Sequence, residues 1–189
     1  MRSFIALPVD SQTKATLEQK VNQLKSLPWS QSIRWYPPNN YHLTLMFLGG
    51  HLHPETVQAV KNSMKNWFAE GMSFFEAELI EIQAFPNRQK PKALVVSLDA
   101  TLLMQYLVRE IEDHVKPLGL TRSKQAFRPH ISLGKISTTL QPEKLVIPQK
   151  IKSFPHERLT VDRLTLFEST MTDSFPIYTP LQTIFLERY

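Results

Sequence analysis

Two short stretches of the chain share a pattern of polar and apolar positions that is typical of β-strands lining a cavity. Residues 41–49 read Tyr-His-Leu-Thr-Leu-Met-Phe-Leu-Gly, and residues 127–135 read Phe-Arg-Pro-His-Ile-Ser-Leu-Gly-Lys. Each contains a histidine, an aliphatic residue, a hydroxyl residue and then leucine. Side chains two positions apart lie on the same face of a strand, so each histidine shares a face with its hydroxyl partner. Since polar pairs are costly to bury without partners, we expect both pairs to line a cleft.

Apolar periodicity in the rest of the chain predicts a mixture of strands and helices. Besides the second histidine strand, it predicts strands at 3–9, 33–36, 41–48, 74–85, 93–98, 159–168 and 177–186. It predicts helices at 56–68 and 102–115, and another that begins near Thr13 and ends before Pro28. Residues 138–155 contain three prolines and are predicted to be mostly loop, with an edge strand or short helix near Lys144. Residues 159–186 should form a hairpin.

The predicted elements contain a repeat. A strand, a helix and the first histidine strand follow one another early in the chain, and the same order recurs before the second. His42 lies 38 positions after Phe4, and His130 lies 36 positions after Leu94. The spacing fits an internal duplication of a strand–helix–strand unit. Two such units related by a pseudo-two-fold axis would place the histidine strands on facing walls of a cleft.

Composition narrows the possible chemistry. The 189 residues include no cysteine, which excludes disulfides, thiolate metal sites and a thiol nucleophile. Only five glycines occur, and none forms a glycine-rich phosphate loop, so kinase, P-loop and dinucleotide-binding folds are disfavoured. The net charge of +5 favours an anionic partner such as RNA or a phosphorylated small molecule.

The N-terminal apolar run is too short for the core of a signal peptide, and Pro8 and Asp10 interrupt it. No other run approaches the roughly 20 apolar residues of a membrane span. We therefore expect a cytoplasmic protein with no membrane partner, which agrees with the lack of cysteine.

Two histidines with ordinary pKa values near neutrality can divide acid–base work, one accepting a proton while the other donates one. Displacement at phosphorus suits this division, because the attacking and leaving oxygens lie roughly in line on opposite sides. The hydroxyls of Thr44 and Ser132 are suited to donate to the non-bridging phosphate oxygens. A diester or cyclic phosphate carries a single negative charge and requires no metal. The residues alone leave open whether His42 or His130 is the acid.

Other candidates are weaker. A single His-x-Thr in a strand is usually structural, but only two of the six histidines have Ser or Thr two positions later, and both have matching apolar neighbours. His51 and His53 alternate like metal ligands, yet no third ligand is evident and zinc sites need three or four. The basic loops at 88–92 and 122–124 are predicted to be solvated surface, which would attract an RNA backbone if the cleft opens toward them.

The tetrads His42-Leu43-Thr44-Leu45 and His130-Ile131-Ser132-Leu133 resemble the paired HxTx motifs of the 2H phosphoesterase superfamily, and most closely those of RNA 2′,3′-cyclic phosphodiesterases, once called 2′-5′ RNA ligases. The resemblance continues through most of the chain, including the opening strand at 2–7, Phe85-Pro86, Arg128-Pro129 and the closing segment at 164–181. It implies an α+β fold in one bilobal domain of residues 1–189, with pseudo-two-fold duplicated units and antiparallel sheets around a central cleft.

The resemblance also implies an activity and residue roles. The reaction would be hydrolysis of a terminal RNA 2′,3′-cyclic phosphate to a 2′-phosphomonoester, without a metal or cofactor, by a monomeric RNA 2′,3′-cyclic 3′-phosphodiesterase. His42 would donate a proton to the leaving 3′-oxygen and His130 would accept one from water. Thr44 and Ser132 would bind the phosphate, as would Lys135, which matches a basic residue that the family commonly carries five positions after the second histidine.

Three positions qualify these expectations. An odd offset places Lys135 on the wrong face of a regular strand, so its role requires a twist or bulge, which Gly134 permits. Ser132 stands where threonine is commoner in the family, and it keeps the hydroxyl but lacks the methyl group. Met46 stands where the first motif often has a charged residue, so a charged contact is not expected at this position.

Three alternatives remain open. The same site would serve a reversible 2′-5′ RNA ligase, or a phosphodiesterase for a cyclic nucleotide or an ADP-ribose cyclic phosphate. A preference for mononucleotides over oligomers would favour the small substrates. A non-catalytic module that binds RNA ends would bind without turnover, and it does not require paired histidines.

Overall fold

A computed structural model describes residues 1–188 of the chain. The predicted α+β class is confirmed. The helices are α1 (Ser11–Leu24), α2 (Pro54–Met64), α3 (Leu102–Val115) and the short α4 (Gln149–Lys152). The strands are β1 (Arg2–Pro8), β2 (Ile33–Trp35), β3 (His42–Gly49), β4 (Phe75–Phe85), β5 (Ala93–Leu98), β6 (His130–Ile136), β7 (Arg158–Val161), β8 (Arg163–Thr170) and β9 (Ile177–Phe185).

Local sequence signals explain where the helices begin and end. The side chain of Asp10 caps α1 by accepting a hydrogen bond from the backbone amide of Thr13 at 2.8 Å. α2 begins at Pro54, whose fixed φ suits the first helical position. The predicted end of α2 was four residues too late, because the chain turns after Met64 and Phe68 adopts a left-handed φ of 58°. No helix within residues 1–188 has the length and apolar content needed to cross a bilayer.

The nine strands form one antiparallel sheet. Its order is β7-β4-β5-β6-β3-β1-β8-β9, and β2 also pairs with β6. From the middle outward, β3-β1-β8-β9 forms a first half and β6-β5-β4-β7 forms an equivalent second half. The predicted repeat is confirmed, because β1-α1-β3 and β5-α3-β6 occupy matching places about the pseudo-two-fold axis between β3 and β6.

The two histidine strands are immediate neighbours at the centre of this sheet. They meet at a single ladder pair, Leu43 with Ile131. Both side chains are fully buried in the core cluster that also contains the apolar faces of α1, α2 and α3. The helices therefore cover one face of the sheet, and the opposite face of β3 and β6 is left for the polar residues.

The predicted strand at 159–168 proved to be two strands, and Asp162 separates them. β7 lies at the outer edge of the second half, whereas β8 belongs to the first half, six strand spacings away in the sheet order. At about 4.8 Å per spacing, a flat sheet would place them nearly 30 Å apart, but two chain steps reach only about 7 Å. The sheet must therefore curl until its ends meet. A bridge between Ser73 and Glu187, and a 2.8 Å hydrogen bond from the Leu186 amide to the Asp162 carbonyl, close it.

The other predictions for the C-terminal third hold with smaller changes. The hairpin is formed by β8 and β9, over 163–185. Residues 138–155 contain a 3-10 turn at Pro142–Lys144 and the four-residue α4, so the short helical alternative near Lys144 is the one observed.

Candidate active site

His42 lies at the start of β3, and both of its ring nitrogens are hydrogen-bonded. Nδ1 lies 2.7 Å from the carbonyl oxygen of Asn40, and Nε2 lies 3.1 Å from the hydroxyl of Thr44. Because a carbonyl can only accept, Nδ1 carries a proton, and in the neutral ring Nε2 accepts one from Thr44. The rings of Phe4 and Tyr178 pack against the imidazole, each with its centroid 5.0 Å away. The orientation of His42 is thus fixed on every side except toward the cleft.

His130 occupies the equivalent position at the start of β6 with fewer partners. Its Nδ1 lies 2.7 Å from the carbonyl oxygen of Arg128, so this nitrogen also carries a proton. Within residues 1–188, Nε2 makes no hydrogen bond, and its lone pair is open to a substrate or water. The ring stacks on Phe85 with centroids 4.2 Å apart, and the guanidinium of Arg128 also lies over Phe85, 4.6 Å from its centroid.

The two polar pairs share one face of the sheet. Leu43 and Ile131 are directly opposite each other and point into the core. The residues that flank them therefore point together to the other face, namely His42, Thr44, His130 and Ser132. Extending the antiparallel register places each histidine across from the hydroxyl residue of the other strand. The predicted pairing of the two motifs is thus realised on neighbouring strands, not on two separate sheets.

A β-bulge lies three positions after each histidine. Leu45 in β3 and Leu133 in β6 have no partner in the ladders with β1 and β5, whereas the residues on either side of each are paired. A bulge reverses the alternation of side chains. Consequently Phe47 and Lys135, both five positions after a histidine, are exposed on the face that carries the histidines. The bulge that Lys135 requires is therefore present, and it is centred on Leu133.

Gly134 has a different purpose from the one predicted. It packs against β2, and a Cβ at this position would lie 2.6 Å from Cγ2 of Ile33 and 3.0 Å from the carbonyl oxygen of Arg34. Glycine therefore allows β2 to approach β6 closely, which brings Arg34 directly opposite Lys135. The equivalent residue in the first half is Met46, which is buried in the core, so no cleft contact is made there.

Burial lowers the pKa of both histidines below the usual 6.5. For His42 the hydrogen bond to the Asn40 carbonyl partly offsets this effect, and the nearby charge of His130 lowers the pKa further. For His130 burial is again the largest cause, the bond to the Arg128 carbonyl acts against it, and the positive charge of Arg128 adds to it. The two rings are thus close enough to influence each other, and binding of a phosphate anion would favour their protonated forms.

Two depressions flank the histidine pair. One, of about 330 Å³, contains His42, Thr44 and Lys135, with Arg2, Arg34, Tyr36, Phe47, Phe175 and Tyr178 among its other lining residues. The other, of about 250 Å³, is lined by His130 together with Phe85, Phe127 and Arg128. Ser132 lies partly exposed on the same face but lines neither depression. The structure therefore gathers the five predicted residues on one surface, with His42, Thr44 and Lys135 in one hollow, His130 in the other and Ser132 outside both.

Comparison with known proteins agrees with this geometry. A family model described as LigT like Phosphoesterase matches residues 7–95, which include the first pair. An RNA 2′,3′-cyclic phosphodiesterase of Archaeoglobus fulgidus is 27% identical over 96% of this chain and 98% of that protein. Another of that name, from Thermotoga maritima, is 24% identical over 94% of this chain and 91% of that protein.

Solved structures show the same fold. TT0787 of Thermus thermophilus has a TM-score of 0.78 at 23% identity, with 98% of each chain covered. Escherichia coli LigT in complex with 3′-AMP has a TM-score of 0.74 at 23% identity, covering 99% of this chain and 98% of that one. These comparisons show that the chain is similar to the LigT-like phosphoesterases. The curated relatives support a phosphodiesterase enzyme, as the paired tetrads predicted.

Several residues around the site carry no recognisable signal in the sequence. Arg2 and Arg34 precede recognisable motifs, and nothing local distinguishes them from surface arginines. Phe4, Phe85 and Tyr178 were placed in strands, but their contacts with the histidines depend on which strands become neighbours.

Three other histidines lie outside the candidate active site. His51 and His53 are exposed, and within residues 1–188 no group of three potential ligands could hold a metal ion. His114 stacks on Trp67 with centroids 5.3 Å apart and lies 3.8 Å from a carboxylate oxygen of Glu110.

Proposed function

We propose that this enzyme hydrolyses the 2′,3′-cyclic phosphate at the end of an RNA, leaving a 2′-phosphomonoester. The observation that carries the proposal is the arrangement of His42 and His130, each held by a backbone carbonyl at Nδ1, with both Nε2 atoms and two hydroxyls on one face. The relatives from Archaeoglobus fulgidus and Thermotoga maritima, which align along nearly the whole chain, bear the name of that activity. We also propose that residues 1–189 act as one domain, because each half supplies one pair.

The proton assignments rest on the family resemblance, and the free Nε2 of His130 supports them. His130 has a free Nε2 lone pair, so it accepts a proton from the attacking water as the new P–O bond forms. His42, protonated when the anionic phosphate is bound, donates from Nε2 to the 3′-oxygen as the P–O3′ bond breaks. The phosphate stays bonded to the 2′-oxygen, and each histidine ends in the protonation state with which the other began. One proton transfer between them through solvent restores the enzyme.

Three further residues stabilise the phosphate in this proposal. The hydroxyls of Thr44 and Ser132 lie on the histidine face, where they can donate to the non-bridging oxygens as charge develops. The ammonium group of Lys135 reaches the same depression as His42 because of the bulge at Leu133. The reaction needs no metal in this scheme, because the substrate carries one charge and the protein supplies the donors.

The decisive test is an assay in EDTA on a short RNA that ends in a 2′,3′-cyclic phosphate. The product phosphate is located by its resistance to a 3′-specific phosphatase. We expect a 2′-phosphate from the wild type, a strong loss with His130→Ala, and wild-type rates with His51→Ala, an exposed histidine outside the site. Binding without turnover by the wild type would instead indicate an RNA-end binding module.

Two outcomes would redirect the proposal within the same site. Hydrolysis confined to small cyclic phosphates would indicate a nucleotide phosphodiesterase. Formation of 2′-5′ linkages from RNA with a free 5′-hydroxyl end would indicate that the reverse reaction, ligation, is the relevant one. Neither outcome changes the expected roles of His42 and His130.

A further inference from the structure

The depression beside His42 contains a concentration of positive charge that the fold itself does not need. Arg2, Arg34 and Lys135 line it, and no Asp or Glu does. Arg34 and Lys135 are direct cross-strand partners between β2 and β6. Like charges directly opposite each other in a sheet are destabilising, and both side chains are exposed on the cleft face. A bound anion would relieve this repulsion.

Four other cations of the described chain are paired with carboxylates. Lys152, Arg158 and Arg163 each lie within 3.3 Å of a carboxylate oxygen, and Arg122 within 3.6 Å. Within residues 1–188, none of the three cations in the depression has a carboxylate within 4.0 Å. Most other Lys and Arg side chains of the described chain also lack such a partner, so what distinguishes this hollow is that three unpaired cations line it together.

The two arginines are held in orientations that leave donors available. The guanidinium of Arg2 lies 4.7 Å from the ring centroid of Phe47, and that of Arg34 lies 4.8 Å from that of Phe175. Stacking on a ring leaves the N–H groups at the edge of the guanidinium plane, where they can bind phosphate oxygens. Within the described residues, Arg34 makes one hydrogen bond, a long one of 3.5 Å to the carbonyl of Asp173.

The chemistry of the proposed reaction directs the substrate chain into this hollow. The leaving 3′-oxygen stays attached to the terminal ribose, so the ribose lies on the side of the proton donor, His42. The RNA chain continues from the 5′-carbon of that ribose through the preceding phosphate. The volume of about 330 Å³ falls within the range of roughly 300–1,000 Å³ that is usual for small-molecule sites. The aromatic rings of Tyr36 and Phe175, 6.1 Å apart, form part of its wall.

We propose that Arg2, Arg34 and Lys135 form a subsite for the phosphodiester that precedes the terminal nucleotide. This inference rests on the proposed function and extends it, because it assigns the enzyme to the ends of RNA chains and not to free cyclic mononucleotides. Arg34 is the main discriminating residue, since Lys135 also serves the cyclic phosphate. The opposite direction, past His130, leads toward Arg88, which lines a separate cavity of about 400 Å³.

The test compares three substrates that end in a 2′,3′-cyclic phosphate. They are a nucleoside cyclic phosphate, a dinucleotide with an ordinary phosphodiester, and the same dinucleotide with an uncharged methylphosphonate in its place. In the wild type, kcat/KM should be roughly 10- to 100-fold higher for the charged dinucleotide than for the methylphosphonate, the range expected for hydrogen bonds to a charged group. This comparison needs no variant and therefore does not depend on folding.

The variant Arg34→Gln should remove most of that ratio, whereas Arg88→Gln should leave it unchanged. A ratio near one in the wild type, or a ratio lost in Arg88→Gln and kept in Arg34→Gln, would overturn the inference while leaving the proposed function intact. If none of the three substrates is hydrolysed, the proposed function fails. Binding then decides the inference separately: tighter binding of the charged dinucleotide supports the subsite, and equal affinity overturns it too.

Discussion

His42 and His130 lie at equivalent positions in the two halves of the sheet, yet their rings have different surroundings. His42 packs against Phe4 and Tyr178, and both of its nitrogens are hydrogen-bonded. His130 stacks on Phe85 alone and, within the described residues, uses only Nδ1. In both halves, a hydrogen bond to a backbone carbonyl fixes Nδ1 in the same way. The neighbouring strands then decide how deeply each ring is covered.

One position in the centre of each half accounts for much of this difference. Phe4 of β1 pairs with Phe167 of β8, and the equivalent pair in the second half is Ala93 of β5 with Phe85 of β4. The ring of Phe4 fills the space beside His42, and Phe167 stacks behind it. Ala93 has only a methyl group, so Phe85 itself reaches the histidine. A duplicated unit has thus acquired two different microenvironments through the size of one residue.

The largest expected effect is that of removing either histidine, and the leaving group of the substrate distinguishes their roles. With a cyclic phosphate, His42→Ala and His130→Ala should each lower the rate by about 10²–10⁴-fold, as for a positioned acid or base. With bis(p-nitrophenyl) phosphate, the leaving phenolate needs little protonation, so His42→Ala should lose much less than His130→Ala. Steady-state rates of the two variants on both substrates measure this. Equal losses on the aryl ester would contradict the assignment of His42 as the acid.

The hydroxyl residues provide a smaller contrast. Thr44→Val and Ser132→Ala should each reduce kcat/KM by roughly 10- to 100-fold, the cost of one hydrogen bond to a charged group. Thr44 also bonds Nε2 of His42, so only Thr44→Val should alter the titration of that ring. Kinetics combined with NMR titration of the histidines tests both parts. Thr44→Ser, which keeps the hydroxyl, serves as the control and should retain most of the activity.

The pH dependence sharpens the same comparison. Both pKa values lie below 6.5 because of burial, and the reaction needs one proton on the pair. Above pH 6.5 both rings are neutral, so kcat/KM should fall about tenfold per pH unit, and its maximum should lie below that pH. By NMR, Tyr178→Leu should raise the pKa of His42 toward 6.5, and Phe85→Leu should do so for His130. A shift of both rings in both variants would show that their environments are not separate.

The smallest expected effect concerns Gly134, where the two halves differ because β2 lies beside β6. Gly134→Ala would force Ile33 and the backbone of Arg34 to move, at a cost of about 1–3 kcal/mol for overpacking. Thermal unfolding should show a Tm lower by a few degrees. The same variant should reduce the discrimination between charged and uncharged dinucleotides, since it displaces Arg34. Met46→Leu, at the equivalent core position, is the control and should change neither quantity much.

The sequence was informative where a signal is local. The tetrads, the strand–helix–strand repeat and the bounds of β5 and α3 follow from side-chain alternation and periodicity, which are set by neighbours in the chain. The need for a bulge before Lys135 also followed from its odd offset from His130, which would place the two side chains on opposite faces of a regular strand. Even the break at Asp162 has a local sign, because the apolar positions Val161 and Leu164 are three apart in a stretch that otherwise alternates by two.

The remaining features depend on long-range packing. Arg34 meets Lys135 only because β2 pairs with β6, a hundred residues further along the chain. Tyr178 reaches His42 only because β9 follows β8 back across the first half. Facing walls were expected for the histidine strands because a duplication does not specify which edges of its two units will join. Here the two units join through β3 and β6, so the histidine strands are neighbours in one sheet.

The place of β1 at the centre of the first half has a consequence for how the protein is made. Phe4 pairs with Phe167, 163 positions later, so the sheet around His42 cannot form until β8 has been synthesised. At roughly 5–20 residues per second, the nascent first strand must wait on the order of ten seconds or longer for this second partner, with one of its two edges unpaired. Such long-range pairing slows folding and exposes strand edges. We therefore expect that, during synthesis, this enzyme depends on protection of its first forty residues against aggregation.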